Sequence, residues 1–470
     1  MGFLMYDLIF LAAFIIFFSI FLVRKRKGVK KQGLLLLYRT TWGMKLIERI
    51  GTKYKKTLTV LSHVSVWLGY VLMAAMLWLF YTVVKVYLLR PDIVTAIKVP
   101  PIMPLIPYID KLVPFLPSFY FTYFIVILAI IAISHEFAHG IFMRRYGIKI
   151  KSTGFGFFPF FLPVFLAAFV EQDEKSMVKA KNFEQRAVLA AGTFANTITA
   201  VLGLIVLGVF FSAAFTPVGI SFNGYVSTPV NITSITSING VSVVNPNFDK
   251  VEELVLDANF NYIDVGDQKY VGIAAISSDK TKLALYDDAP AIKAGLNGAI
   301  LKINDVTIGS VDKLTLELAK YKPGDTIKID SKFMEEEKIY EIVLGEHPED
   351  SEKPYLGLAF SEPQQQNLLR KALYAASSFK KDNIYYESDL GEFGWFVYYL
   401  LWWLVLISLS VALVNMLPMG IFDGGRFFYL IILKFTKSEK IAANSFKWLT
   451  NIILLMVLAI MLYWGYVIAF

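Results

Sequence analysis

The 470-residue chain contains no cysteine and only four histidines, His63, His135, His139 and His347. Without cysteine there is no disulfide, thiol nucleophile, zinc ribbon or thiolate-held iron–sulfur cluster. Any metal must be held by histidine, aspartate or glutamate. Charge is also scarce: 18% of the residues are charged, against about 25% in a soluble domain. Together with 56% hydrophobic residues, this excludes an ordinary soluble protein and places most of the chain in a lipid bilayer. The net charge of +8 gives no case for a nucleic-acid partner, because the basic residues cluster just after apolar runs, where they set orientation.

Six runs reach the roughly 18 apolar residues of a spanning helix. They are Leu4 to Val23, Leu58 to about Val84, Phe119 to Met143, Ala187 to Phe211, Trp395 to Met416 and Leu449 to Phe470. Arg24, Lys25, Arg26 and Lys27 follow the first run, and Arg144 and Arg145 follow the third. Basic residues mark the cytosolic side, so both termini and the segment after the fourth run are expected outside. A signal peptide carries its basic residues before the apolar stretch, so the first run reads as an uncleaved anchor.

Four regions follow. Residues 1–118 hold two N-terminal spans, a basic cytosolic loop and an external proline-rich loop. Residues 119–215 hold two further spans and, between them, Gly154 to Val170, an apolar stretch with two prolines and two glycines that reads as a re-entrant hairpin lining a cavity. Residues 216–362 form a β-rich domain expected outside. Residues 363–470 hold a juxtamembrane segment and the last two spans. The fold class is a multi-span α-helical membrane protein of about six helices with an inserted β-rich domain.

That domain contains an internal repeat. Ile235 to Val243 is echoed by Ile300 to Ile308, each with a tight Asn-Gly or Asn-Asp turn between short apolar runs, the mark of a hairpin. The second copy resembles a PDZ domain. Ala289 to Leu296 looks like that family's short helix before its Ile-Asn strand, Ser310 to Tyr321 like the helix beside its peptide groove, and Pro323-Gly324-Asp325 like the following turn. The first copy is shorter and lacks the Ala-Gly-Leu helix, so it stands as a partial second copy.

The strongest chemical signal is His135-Glu136-Phe137-Ala138-His139. Residues four apart on a helix are offset by only about 40°, so both imidazoles can bind one metal while Glu136 reaches a metal-bound water. Ionisable residues within a span are costly and point to function. The competing reading has the histidines bonding helix partners and Glu136 snorkelling to water. A catalytic zinc takes three protein ligands and keeps a position for water. His63 lies on another span and His347 in the outer domain, so the third ligand is sought among carboxylates at the cytosolic ends of spans. Asp423, in Asn415-Met-Leu-Pro418-Met-Gly-Ile-Phe-Asp423-Gly424-Gly425, sits at that depth; its other reading is a cap on a helix-ending turn.

His-Glu-x-x-His on one span and Asn-x-x-Pro-x-x-x-x-Asp-Gly on a later one, separated by a span and an external PDZ-like insert, resemble the site-2 protease family of intramembrane metalloproteases over about Phe119 to Phe470. Gly192 to Asn196 is similar to that family's Gly-x-x-x-Asn helix, without the proline that often follows the glycine. The resemblance implies zinc held by His135, His139 and Asp423, Glu136 as general base, and hydrolysis of peptide bonds within transmembrane segments. Asn415 is a candidate substrate or oxyanion contact, or a helix–helix polar contact. The expected partners are single-span membrane proteins, the lipid bilayer and, at the PDZ-like domain, peptide termini. The alternative functions are an inactive membrane adaptor that binds peptides through that domain and a metal transporter.

Overall fold

Backbone inside lipid has no water to bond to, so apolar stretches of spanning length fold as helices. The computed structural model has six helices long and apolar enough to cross a membrane. The structure describes residues 3–25, 28–32, 35–103, 105–111, 113, 116–157, 166–256, 260–277, 279–334, 336–360 and 378–469. The tip of the expected hairpin at 158–165 and most of the juxtamembrane segment lie outside the described residues. The chain divides into two compact units, one of residues 1–207 and 396–470 and one of residues 208–395.

Helix α1 (Phe3–Arg24) leads into β1 (Val29–Gln32), β2 (Leu35–Thr40), α2 (Met44–Lys53), α3 (Lys55–Leu89) and α4 (Pro91–Ile97). Helix α5 (Phe121–Arg145) carries the clustered histidines and is followed by β3 (Ile150–Phe157), β4 (Leu166–Gln172), α6 (Glu174–Lys179) and α7 (Asn182–Ala214). The basic loop after the first span is therefore folded: β1 and β2 join β3 and β4 in one antiparallel sheet of order β1-β2-β3-β4. Tyr38 pairs with Phe155 and Thr153 with Val170. Arg39 on β2 and Ser152 on β3 both donate to Glu171 Oε2 on β4, at 3.0 and 2.6 Å. The amphipathic α2 lies on α5, with the fully buried Ile47 against Gly140 and Glu48 paired with Arg144.

The first span is tied to the helix of the histidines. Tyr120, the N-cap of α5, makes no side-chain cap bond. Asp7 of α1 supplies it instead: the Phe121 and Thr122 amides donate to its carboxylate at 2.7 and 2.8 Å, and the Thr122 and Tyr108 hydroxyls at 2.5 and 2.7 Å. A carboxylate at a helix N-terminus satisfies orphan amides and faces the positive end of the dipole.

In the β-rich unit, β5 (Phe215–Ile220), β6 (Gly224–Tyr225) and β7 (Ser227–Asn231) precede β8 (Ser237–Ile238), β9 (Val241–Ser242), α8 (Phe248–Leu254), β10 (Tyr262–Val265), β11 (Gln268–Ile276) and β12 (Lys282–Asp287). Then come α9 (Pro290–Lys293), β13 (Ala299–Ile303), β14 (Val306–Thr307), α10 (Val311–Leu318), β15 (Thr326–Phe333) and β16 (Glu336–Val343). The last are β17 (Gly345–His347), β18 (Asp350–Tyr355), β19 (Leu358–Ala359) and β20 (Ile384–Ser388). The sequence repeat is a structural one. Asn239-Gly240 and Asn304-Asp305, all at positive φ, close the hairpins β8–β9 and β13–β14. Each hairpin precedes a capped helix, with Asn247 accepting from the Lys250 amide and Ser310 from the Lys313 amide. Each copy has its own core, Ile238, Val251, Ile263 and Leu283 in the first and Ile300, Ile303, Leu314 and Ile327 in the second. Because β20 pairs with β5, the unit extends beyond residue 362.

The chain returns in α11 (Glu392–Val414), α12 (Asp423–Thr436) and α13 (Glu439–Ala469). One core joins Val66 and Leu72 of α3, Phe142 of α5, Ala187 to Ala191 of α7, Ala412 of α11 and Phe427 of α12. Leu11 and Phe14 of α1 pack against a second core that holds Phe121 and Phe124 of α5, so both N-terminal spans are integral parts of the helical unit.

Candidate active site

His135 and His139, one turn apart on α5, both direct Nε2 to one point, with the two nitrogens 3.0 Å apart. Asp423 is the first residue of α12 and closes the triangle, its Oδ2 lying 3.3 Å from His135 Nε2 and 3.2 Å from His139 Nε2. Among the described residues this is the one histidine–carboxylate group whose ligand atoms converge closely enough to hold a metal. Donors bound tetrahedrally at about 2.0–2.1 Å stand roughly 3.3 Å from one another, so the triangle has the edge lengths of a zinc shell with one position open.

Asp423 is delivered by a tight reversal after α11. The Gly424 amide donates to the Asn415 carbonyl at 2.7 Å. A Cβ on Gly424 would lie 2.4 Å from the Met416 carbonyl, and one on Gly425 2.2 Å from the Met419 carbonyl oxygen. The Asp-Gly-Gly run is what lets α12 start against the end of α11.

The outer atoms of both imidazoles are held as well. His139 Nδ1 lies 2.7 Å from the Val188 carbonyl, a pure acceptor, so Nδ1 carries the proton and Nε2 presents its lone pair. His135 Nδ1 lies 3.0 Å from Asn196 Nδ2, while Asn196 Oδ1 is buried with no partner among the described residues. Rotating that amide by half a turn gives Nδ1–H an acceptor and frees His135 Nε2 for a metal, which accounts for the orphaned oxygen. Space is reserved too: a Cβ on Gly192 of α7 would lie 2.4 Å from His135 Nε2 and 2.5 Å from His139 Nε2. The donor set, the orphaned oxygen and this cradle all fit a zinc-sized cation.

Glu136 Oε2 accepts the Val170 amide of β4 at 2.8 Å, and Oε1 has no hydrogen-bond partner among the described residues. At β4 outside the spans, the Ser152 hydroxyl and then the Arg39 guanidinium hold the Glu171 carboxyl below the usual carboxylate range. Asn415, the residue after α11, is half-buried. His63 is elsewhere, exposed on α3 with Nδ1 2.9 Å from the Thr59 carbonyl, and His347 sits on β17 against Tyr355.

The structure thus brings together His135, Glu136, His139 and Asp423. Spacing alone does not reveal the Val188 carbonyl, the Val170 amide or the cradle at Gly192. Asp7 was the overlooked signal: a lone carboxylate within an apolar run, where ionisable groups are expensive. A family model described as Peptidase family M50 matches residues 123–461, more than half of the chain. No curated protein matches it.

Proposed function

The chain belongs to peptidase family M50, the site-2 protease family, and from that membership and the site geometry we propose an intramembrane zinc metalloendopeptidase that hydrolyses peptide bonds within spanning segments of single-span membrane proteins. The observation that carries this reading is the convergence of His135, His139 and Asp423 donors within 3.0–3.3 Å on apolar elements, with Glu136 beside them.

Zinc held by His135 Nε2, His139 Nε2 and Asp423 Oδ2 would supply a Lewis acid that polarises the scissile carbonyl and acidifies a water. Glu136 takes the proton of the attacking water at Oε1, the oxygen Val170 leaves free. As the C–N bond breaks, Glu136 returns that proton to the leaving amine, so one water is consumed and a carboxylate and an amine form. Asn196 and the Val188 carbonyl fix the imidazole orientations throughout. In this reading Asn415, whose carbonyl accepts the Gly424 amide next to Asp423, bonds the substrate strand or the developing oxyanion.

A helical substrate hides its peptide bonds, so it must unwind before it is cut, which favours spans containing Gly, Asn or Pro. Strand β4 offers a place for the unwound strand: it ends the sheet order, and its Val170 amide points at Glu136. An extended peptide added to that edge runs past the base. The β-rich unit, with its PDZ-like second copy, acts in this reading outside the cytosol as a filter for substrates already trimmed of bulky external parts, with both termini outside and the site near the cytosolic face.

The test is purified chain in detergent with a tagged single-span substrate, the product termini read by mass spectrometry with and without 1,10-phenanthroline. Cleavage inside the span that the chelator stops is expected. Cuts confined to the flanks, or indifferent to the chelator, would overturn the proposal.

A further inference from the structure

The cleft at the base is small. Bounded by Thr40, Glu136, Thr153 and Val170, it has a volume of about 20 Å³, room for about one water molecule. Beside it, between α5 and the turn from β2 into α2, a groove of about 1080 Å³ opens along Met44, Leu46, Ala129 and Ile130. Ile130, Ile133, Ser134 and Phe137 form one stripe of the catalytic helix at helical spacing, and all four face the groove.

Trp42, Ile133 and Phe137 line both spaces. The Trp42 and Phe137 rings meet edge-on, 5.6 Å apart. Gly43, at φ 80°, lets the turn close onto them, since a Cβ there would lie 2.3 Å from Phe137 Cζ. The partition between groove and cleft therefore consists of side chains, which change rotamer far more easily than backbone moves.

We propose that this groove docks the apolar spanning segment of the substrate before cleavage, and that the Trp42–Phe137 pair is the door through which the segment reaches Glu136. The inference rests on the protease reading above and names where its substrate waits. Continuity with the catalytic cleft identifies the occupant: Ile133 and Phe137 flank Glu136 on the same helix. The chemistry agrees, because Thr41 and Ser134 line the otherwise apolar wall, and the Ser134 hydroxyl, which donates to the Ile131 carbonyl at 3.1 Å, keeps its oxygen as an acceptor. Hydroxyls can take up the backbone groups that an unwinding peptide exposes, and a lipid chain has none to offer.

The chain has no cysteine, so each introduced one is unique. Ile130→Cys in the groove and Ile198→Cys, exposed on α7 and outside the groove lining, are compared in the Glu136→Gln background. Crosslinking is to a single-cysteine substrate span, in detergent and in phosphatidylcholine bilayers. Position 130 is expected to crosslink about ten times more than position 198, one tenfold step in relative occupancy, and unlabelled substrate suppresses it. Ile130→Trp, which narrows the groove beside the catalytic helix, is expected to raise KM and leave kcat unchanged. Equal crosslinking at both positions, suppression by added lipid alone, or an unaltered KM overturns the groove while cleavage by the unmodified chain keeps the protease reading. If the unmodified chain cuts no substrate, the protease reading fails and the groove falls with it.

Discussion

Gly192→Ala is the smallest change that tests the metal cradle. The added Cβ would lie 2.4 Å from His135 Cε1 and Nε2 and 2.5 Å from His139 Nε2, whereas relaxed contacts between such atoms are about 3.5 Å or more. Each imidazole would have to retreat by about 1 Å, and metal–ligand distances tolerate only about 0.2 Å. Neither ring is free to do so, because Asn196 and the Val188 carbonyl hold their Nδ1 atoms. Loss of an outer-shell partner alone lowers metal affinity about 10–100-fold. Displacing two ligands should reach at least the upper end, about 100-fold or 2.7 kcal/mol. Two effects on folding oppose each other, since alanine is favoured over glycine in a helix by about 1 kcal/mol while overpacking a buried site costs about 1–3 kcal/mol, so zinc affinity is compared under conditions where both chains are folded. The assay is a chelator-competition titration of zinc alongside circular dichroism. A variant that binds one zinc as tightly as the parent would refute the cradle.

Three further outcomes follow from the same contacts. Asn196→Leu should weaken zinc binding about 10–100-fold while Asn196→Asp retains it, since a carboxylate also accepts from His135 Nδ1–H; equal losses would make the residue a packing element. Asp7→Ala leaves one buried and one half-buried amide and two hydroxyls without their acceptor and should cost about 3 kcal/mol or more, read as earlier unfolding in a detergent titration; unchanged stability would mean that α5 needs no cap from α1. The Glu171 carboxyl is depressed in the folded state, so its contribution to the β1–β4 sheet is complete at neutral pH, above its unfolded value, and is lost as pH falls through the lower folded value. Hydrogen exchange at β4 should accelerate over that acidic range, and Glu171→Gln should abolish the pH dependence; persistence of the same dependence in the variant would assign it to another group.

The parts legible in the sequence are those fixed by local geometry. His135 and His139 are neighbours on any helix, and Asn239-Gly240 and Asn304-Asp305 favour tight hairpins wherever they occur. Asp423 required a depth argument across two spans, and the structure brings it within 3.3 Å of both histidines. Non-local pairing was not legible. The lysine-rich stretch after the first span shows no alternation, yet it forms β1 and extends the sheet that carries β4. The run at 384–388 borders an apolar helix, and only its pairing with β5 reveals it as part of the β-rich unit. Likewise Asp7 shows itself as a costly carboxylate, but its four donors lie more than a hundred residues away in the chain.

The most direct test of the central claim compares the parent chain with Glu136→Gln on one tagged single-span substrate, with bound zinc quantified in both. The account predicts one zinc per chain in each and cleavage within the span by the parent alone. Equal cleavage by both would contradict it.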